Sequence, residues 1–150
     1  MTPCLLLIAH LAVAMPALPA AGECPALPPG SGLEWTVQQG PDFDACYAHG
    51  PGETNAMFGL YLGHASSFER KPGANDEVDT IGGHAVTWQP HTGKDGDMPF
   101  GQETLFELRE GDESSGVQVH AWINALTKDE RDAARRVLRD ISFDRRPGGN

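Results

Sequence analysis

Positive charge is scarce in this chain. Lys and Arg together number 11 against 21 Asp and Glu, a formal net charge of −10 over 150 residues. Phosphate backbones and anionic membrane surfaces are held by clustered cations, so nucleic acid is not expected as a partner and acidic lipid is disfavoured. Signatures of chemistry are equally sparse. The sequence has no Gly-x-Ser-x-Gly elbow, no Gly-x-Gly-x-x-Gly or Gly-x-x-x-x-Gly-Lys phosphate loop, and no His-x-x-x-His or His-Glu-x-x-His pair. There is no internal repeat and no low-complexity block. What remains is a globular composition, 39% hydrophobic and 21% charged, of a length that suits one domain.

Charge of either sign is missing altogether from residues 1–20. An apolar run through Leu5–Ala9 and Leu11–Met15 is broken by Pro16 and Pro19, and small residues follow at Ala17, Ala20, Ala21 and Gly22. That layout is expected of a cleaved secretory signal peptide over residues 1–22. The run falls short of the ~20 apolar residues of a spanning helix, so no stable membrane anchor is expected. A lipid-acceptor cysteine needs a small residue before it, and Glu23 precedes Cys24. The mature chain is therefore expected to be soluble and exported, to the periplasm or outside the cell. Cys4 leaves with the signal, and Cys24 and Cys46 are expected to form a disulfide in an oxidising compartment.

The expected organisation is a Pro/Gly-rich lead-in over 23–32, one domain over 33–143 and a frayed tail over 144–150. Strand-like alternation marks Leu33–Val37, Phe43–Tyr47, Ala56–Leu62, Val78–Ile81, His84–Trp88, Thr104–Leu108 and Val117–Ile123. Gly82-Gly83 between two such runs signals a hairpin. Thr127-Lys128-Asp129-Glu130 matches a capping box, and Ala133, Ala134, Val137, Leu138 and Ile141 form an apolar stripe at helical spacing. The expected fold is α+β, an antiparallel β-sheet meander packed against a C-terminal amphipathic helix.

The pieces Val117-Gln118-Val119, Thr127 to Arg139 and Ile141-Ser142-Phe143 give residues 117–143 a pattern that resembles the end of Mog1/PsbP-like α/β sandwich proteins. The likeness covers about 27 residues and is architectural. It implies binding more than catalysis, since that family has members that bind other proteins, and it carries over no functional residue.

Candidate sites are few. His84 and His120 are the metal candidates: if their strands pair they converge, with Asp79 or Glu107 near. Asn75, Glu77 and Asp79 offer alternating oxygens, but an EF-hand counted from Asn75 needs Gly and Glu where Thr80 and Val86 stand. Charge distribution says more. Residues 34–113 hold 15 acidic and 4 basic residues, whereas 128–146 hold 7 basic and 5 acidic. Asp76, Glu77 and Asp79 on the acidic side, with Arg135 and Arg139 on an arginine-rich outer helix face, are the candidate interaction residues for a charged protein partner. No cofactor is expected. The function expected is a small exported binding or interaction module. The alternative is a hydrolase or metal-dependent enzyme whose residues meet only in space.

Overall fold

The computed structural model describes residues 24–71, 73, 76–93, 95–108 and 116–144. The signal-peptide reading of residues 1–22 and most of the 144–150 tail lie outside them. The architecture is α+β. Seven strands, β1 (Glu34–Gln39), β2 (Phe43–His49), β3 (Phe58–Gly63), β4 (Glu77–Ile81), β5 (His84–Pro90), β6 (Gln102–Leu108) and β7 (Val117–Ile123), precede helix α1 (Lys128–Asp140). They form one antiparallel sheet in the order β1-β2-β3-β7-β6-β5-β4. Two meanders are thus set side by side, and the chain between them crosses from the centre of the sheet at β3 to its far edge at β4.

Period-two alternation sorts the side chains onto two faces. On the helix face the register aligns Cys46 with Leu60, Leu60 with Ala121, and Val119 with Phe106. Phe58, Leu60, Ile81, Trp88, Val119, Ala121, Ile123, Ala134 and Leu138 are all fully buried there. Three segments cover this face. The helix starts at the expected capping box, with the Thr127 hydroxyl accepting from Glu130 N and the Glu130 carboxylate accepting from Thr127 N, both at 3.2 Å. The segment after it pairs with the N-terminal segment through Ala26 and Ser142. The N-terminal segment is tied down by the Cys24–Cys46 disulfide and by Trp35 Nε1, which donates to Pro25 O at 2.8 Å. At Gly82 and Gly83 the φ angles are +53° and +84°, as a tight hairpin turn requires, and Gly82 N donates to Leu138 O at 3.0 Å beneath the helix.

The other face carries the crossing segment, whose continuous described stretch, residues 64–71, we call the strap. Ser66 N donates to Gln118 Oε1 at 3.2 Å on β7. Phe68 packs edge-on against His120, with ring centroids 5.4 Å apart. Further along, Lys71 N donates to Gln89 Oε1 at 2.9 Å, and Gln89 Nε2 donates to Glu69 O at 2.8 Å, on β5. The strap covers the β5–β7 half of this face and leaves the β1–β3 half open.

Candidate functional site

The open half of the strap face is paved with aromatic rings on a glycine floor. Strand β3 alternates Gly59, Tyr61 and Gly63 on this face, opposite Tyr47, Ala45 and Phe43 of β2 and Trp122, His120 and Gln118 of β7. A Cβ at Gly59 would stand 2.1 Å from Trp122 Cζ2, so the indole lies across that residue. At Gly63 a Cβ would stand 2.6 Å from Tyr61 Oη and 2.8 Å from Phe43 Cβ. Glycine on a strand costs stability, and here it admits rings close against the backbone. Phe43 stacks on Tyr61 with centroids 5.3 Å apart, and Tyr47 meets Trp122 edge-on at 5.8 Å. Tyr61 Oη accepts a hydrogen bond from Ala65 N at 3.2 Å, which anchors the start of the strap. Between these rings, over the small buried Ala45, lies a cleft of about 390 Å³ bordered by Phe43, Tyr47, Tyr61, Ser67, His120 and Trp122.

One wall of the cleft has a polar core behind it. Glu103 on β6 is 6% exposed. Its Oε2 lies 3.1 Å from His120 Nε2 and 3.4 Å from His91 Nδ1, and its Oε1 accepts from Gln89 Nε2 at 3.0 Å. Gln89 is itself buried, and its amide also holds two backbone groups of the strap. Burial pushes the His120 imidazole below its ordinary pKa, against the opposing pull of Glu103. A buried carboxylate is costly unless its oxygens are satisfied, and this one is satisfied on both.

A second hollow on the same face, about 350 Å³, lies beyond the strap between Phe68, Arg70, Val78, Ala85, Thr87 and Leu105. It holds neither a histidine nor an aromatic pair, and its Arg70 is paired with Asp76.

The residues singled out from the sequence fall in three places. Cys24 and Cys46 form the expected disulfide. His84 and His120 do not converge. Their strands β5 and β7 both flank β6, and the two side chains lie on opposite faces. His84 stacks on Phe106 at 5.4 Å and meets Phe143 at 5.7 Å on the helix face. His120 meets a carboxylate, but it is Glu103 rather than Asp79 or Glu107. Among the described residues no three His, Cys, Asp or Glu side chains are grouped so as to hold a metal ion.

The charged candidates are engaged with one another. Asp79 lies beneath α1, taking Arg135 Nε at 2.8 Å and Arg139 Nε at 2.7 Å, and Arg135 also pairs with Glu77. Arg135 is 7% exposed, not on an outer helix face. The arginines at 131, 135 and 139 form a stripe beside the apolar one, and the edge strand β4 presents its carboxylates to that stripe. Asp76 is paired with Arg70. Glu77, Asp79, Arg135 and Arg139 thus dock the helix on the sheet.

Sequence reasoning passed over Phe43, Tyr47, His91 and Glu103. The alternation of glycine with tyrosine on β3, facing His120-x-Trp122, was the available signal for the cleft. Nothing local marks Glu103, which is buried among Gln89, His91 and His120.

No protein-family model, curated protein or solved structure matches this chain. No helix among the described residues is long and apolar enough to cross a membrane.

Proposed function

We propose that this protein is a small exported binding module that seats a small ligand, or an exposed group of a larger one, in the aromatic cleft of its strap face. The carrying observation is the cleft: Tyr47, Tyr61, Trp122 and His120 around a floor of Ala45. Concave sites with aromatic walls and a few fixed polar groups are where ligands bind. A sheet face free of the helix that retains aromatic rings forgoes the burial those rings would otherwise supply. Export is supported by the pattern of residues 1–22 and by the disulfide. The resemblance of residues 117–143 to Mog1/PsbP-like proteins points toward binding as well.

A second reading, an acid–base enzyme, rests on the His120–Glu103 pair. Among the described residues no hydroxyl hydrogen-bonds to that imidazole, so the pair lacks a nucleophile to activate. Binding is the better supported of the two.

Incubating the protein with a small-molecule extract of its native envelope, followed by native mass spectrometry, tests this reading. The expected result is a retained ligand on the wild type and at least tenfold less on Tyr47→Ala, at matched melting temperature. Equal retention by both proteins, or none by either, contradicts it.

A further inference from the structure

We infer that the cleft selects an organic cation, with a methylated ammonium group seated against the π faces of Tyr47, Tyr61 and Trp122. This rests on the cleft being the binding site. Aromatic faces are negative, and they attract an ammonium whose hydration is weak enough to be shed. The rings here are held in place, not free to collapse on the ligand. Trp122 is laid across Gly59, Phe43 is stacked on Tyr61, and Tyr61 Oη is bonded to the strap.

The charge around the cleft points the same way. Among the described residues no Lys, Arg, Asp or Glu lines it, so a cation meets neither repulsion nor a competing ion pair from them at the rings. His120, on one wall, is backed at 3.1 Å by Glu103. Lys128, Arg131, Arg135, Arg136 and Arg139 all belong to α1, on the far side of the sheet. Arg70 on the strap is paired with Asp76. A net charge of −10 over the chain then draws cations and repels anions as the ligand approaches.

Choline and 3,3-dimethylbutan-1-ol have nearly the same shape and differ in one positive charge. Each is titrated into the full exported protein, and the Trp122 indole N–H and the His120 ring are followed by NMR. Choline is expected to move both signals and to bind about tenfold more tightly than the neutral alcohol. Tyr47→Leu is expected to weaken choline while leaving the alcohol within twofold. Equal binding of the two wild-type ligands leaves the cleft a binding site and overturns the cation assignment, with no need of a variant. Silence at Trp122 with both also overturns the assignment, and the native-extract experiment then decides separately whether the cleft binds anything.

Discussion

Replacing Cys24 and Cys46 together by alanine is expected to lower stability by about 3 kcal/mol and the melting temperature by roughly 10 °C. The two cysteines are 22 residues apart, and opening that loop returns chain entropy to the unfolded state. The folded state loses as well. Cys46 is fully buried in the core, and the bond is what carries the lead-in onto the helix face. Without it, the bond from Trp35 Nε1 to Pro25 and the Ala26–Ser142 pairing must hold that segment alone. Leu27 and Leu33, which pack on the core from this segment, are expected to loosen with it. Calorimetry with and without reductant checks the first effect, and amide exchange at Ala26 and Ser142 checks the second. An unchanged melting temperature after reduction would show that the bond is ornamental.

Asp79→Asn is expected to cost about 2 kcal/mol at neutral pH, a cost that disappears in acid. Burial alone would push the Asp79 carboxyl up. Hydrogen bonds from Arg139, from Thr80 N and from Arg135 outweigh burial and hold it at about 2. The folded pKa is therefore below the unfolded one, near 3.8. With that sign, the stabilisation is full above about pH 5 and is lost as pH falls from about 4 to 2. Asparagine keeps the shape and removes the charge, so Arg135 is left buried with the half-exposed Glu77 as its remaining salt-bridge partner among the described residues. Glu77→Gln should cost far less, because that side chain is 43% exposed and its pairing is screened. Urea unfolding of both variants at pH 7 and pH 2.5 reads these differences. A gap between wild type and Asp79→Asn that is as large at pH 2.5 as at pH 7 would place the effect somewhere other than the carboxylate.

The local elements were legible in the sequence because they depend on local rules. The alternation from Val117 to Ile123, the Gly82-Gly83 turn and the Thr127–Glu130 capping box each specify geometry within a few residues. The strap was not legible. Polar residues after Gly63 read as a loop, and nothing in them says that the loop crosses the sheet instead of turning back to a neighbouring strand. Two further features depended on that crossing. It packs Phe68 on His120, and it sends β4 to the edge where α1 docks. The faces of His84 and His120 also could not be compared from sequence, because their relation passes through the register of β6. The arginines show the same limit from the helix side. A stripe at 131, 135 and 139 looks identical whether it meets water or the carboxylates of an edge strand, and only tertiary placement distinguishes them.

The three tryptophans provide independent reporters of the central claim, that the strap face is where this protein binds. Trp35 lies at the seam with the N-terminal segment and donates to Pro25 O. Trp88 is fully buried in the core. Trp122 borders the cleft. A single experiment follows their three indole N–H signals while a library of small polar and cationic molecules is added. The account predicts hits that move Trp122 in a saturable way and leave Trp35 and Trp88 in place. Hits that move Trp35 or Trp88 while Trp122 stays fixed, or a library that moves none of the three, would contradict it.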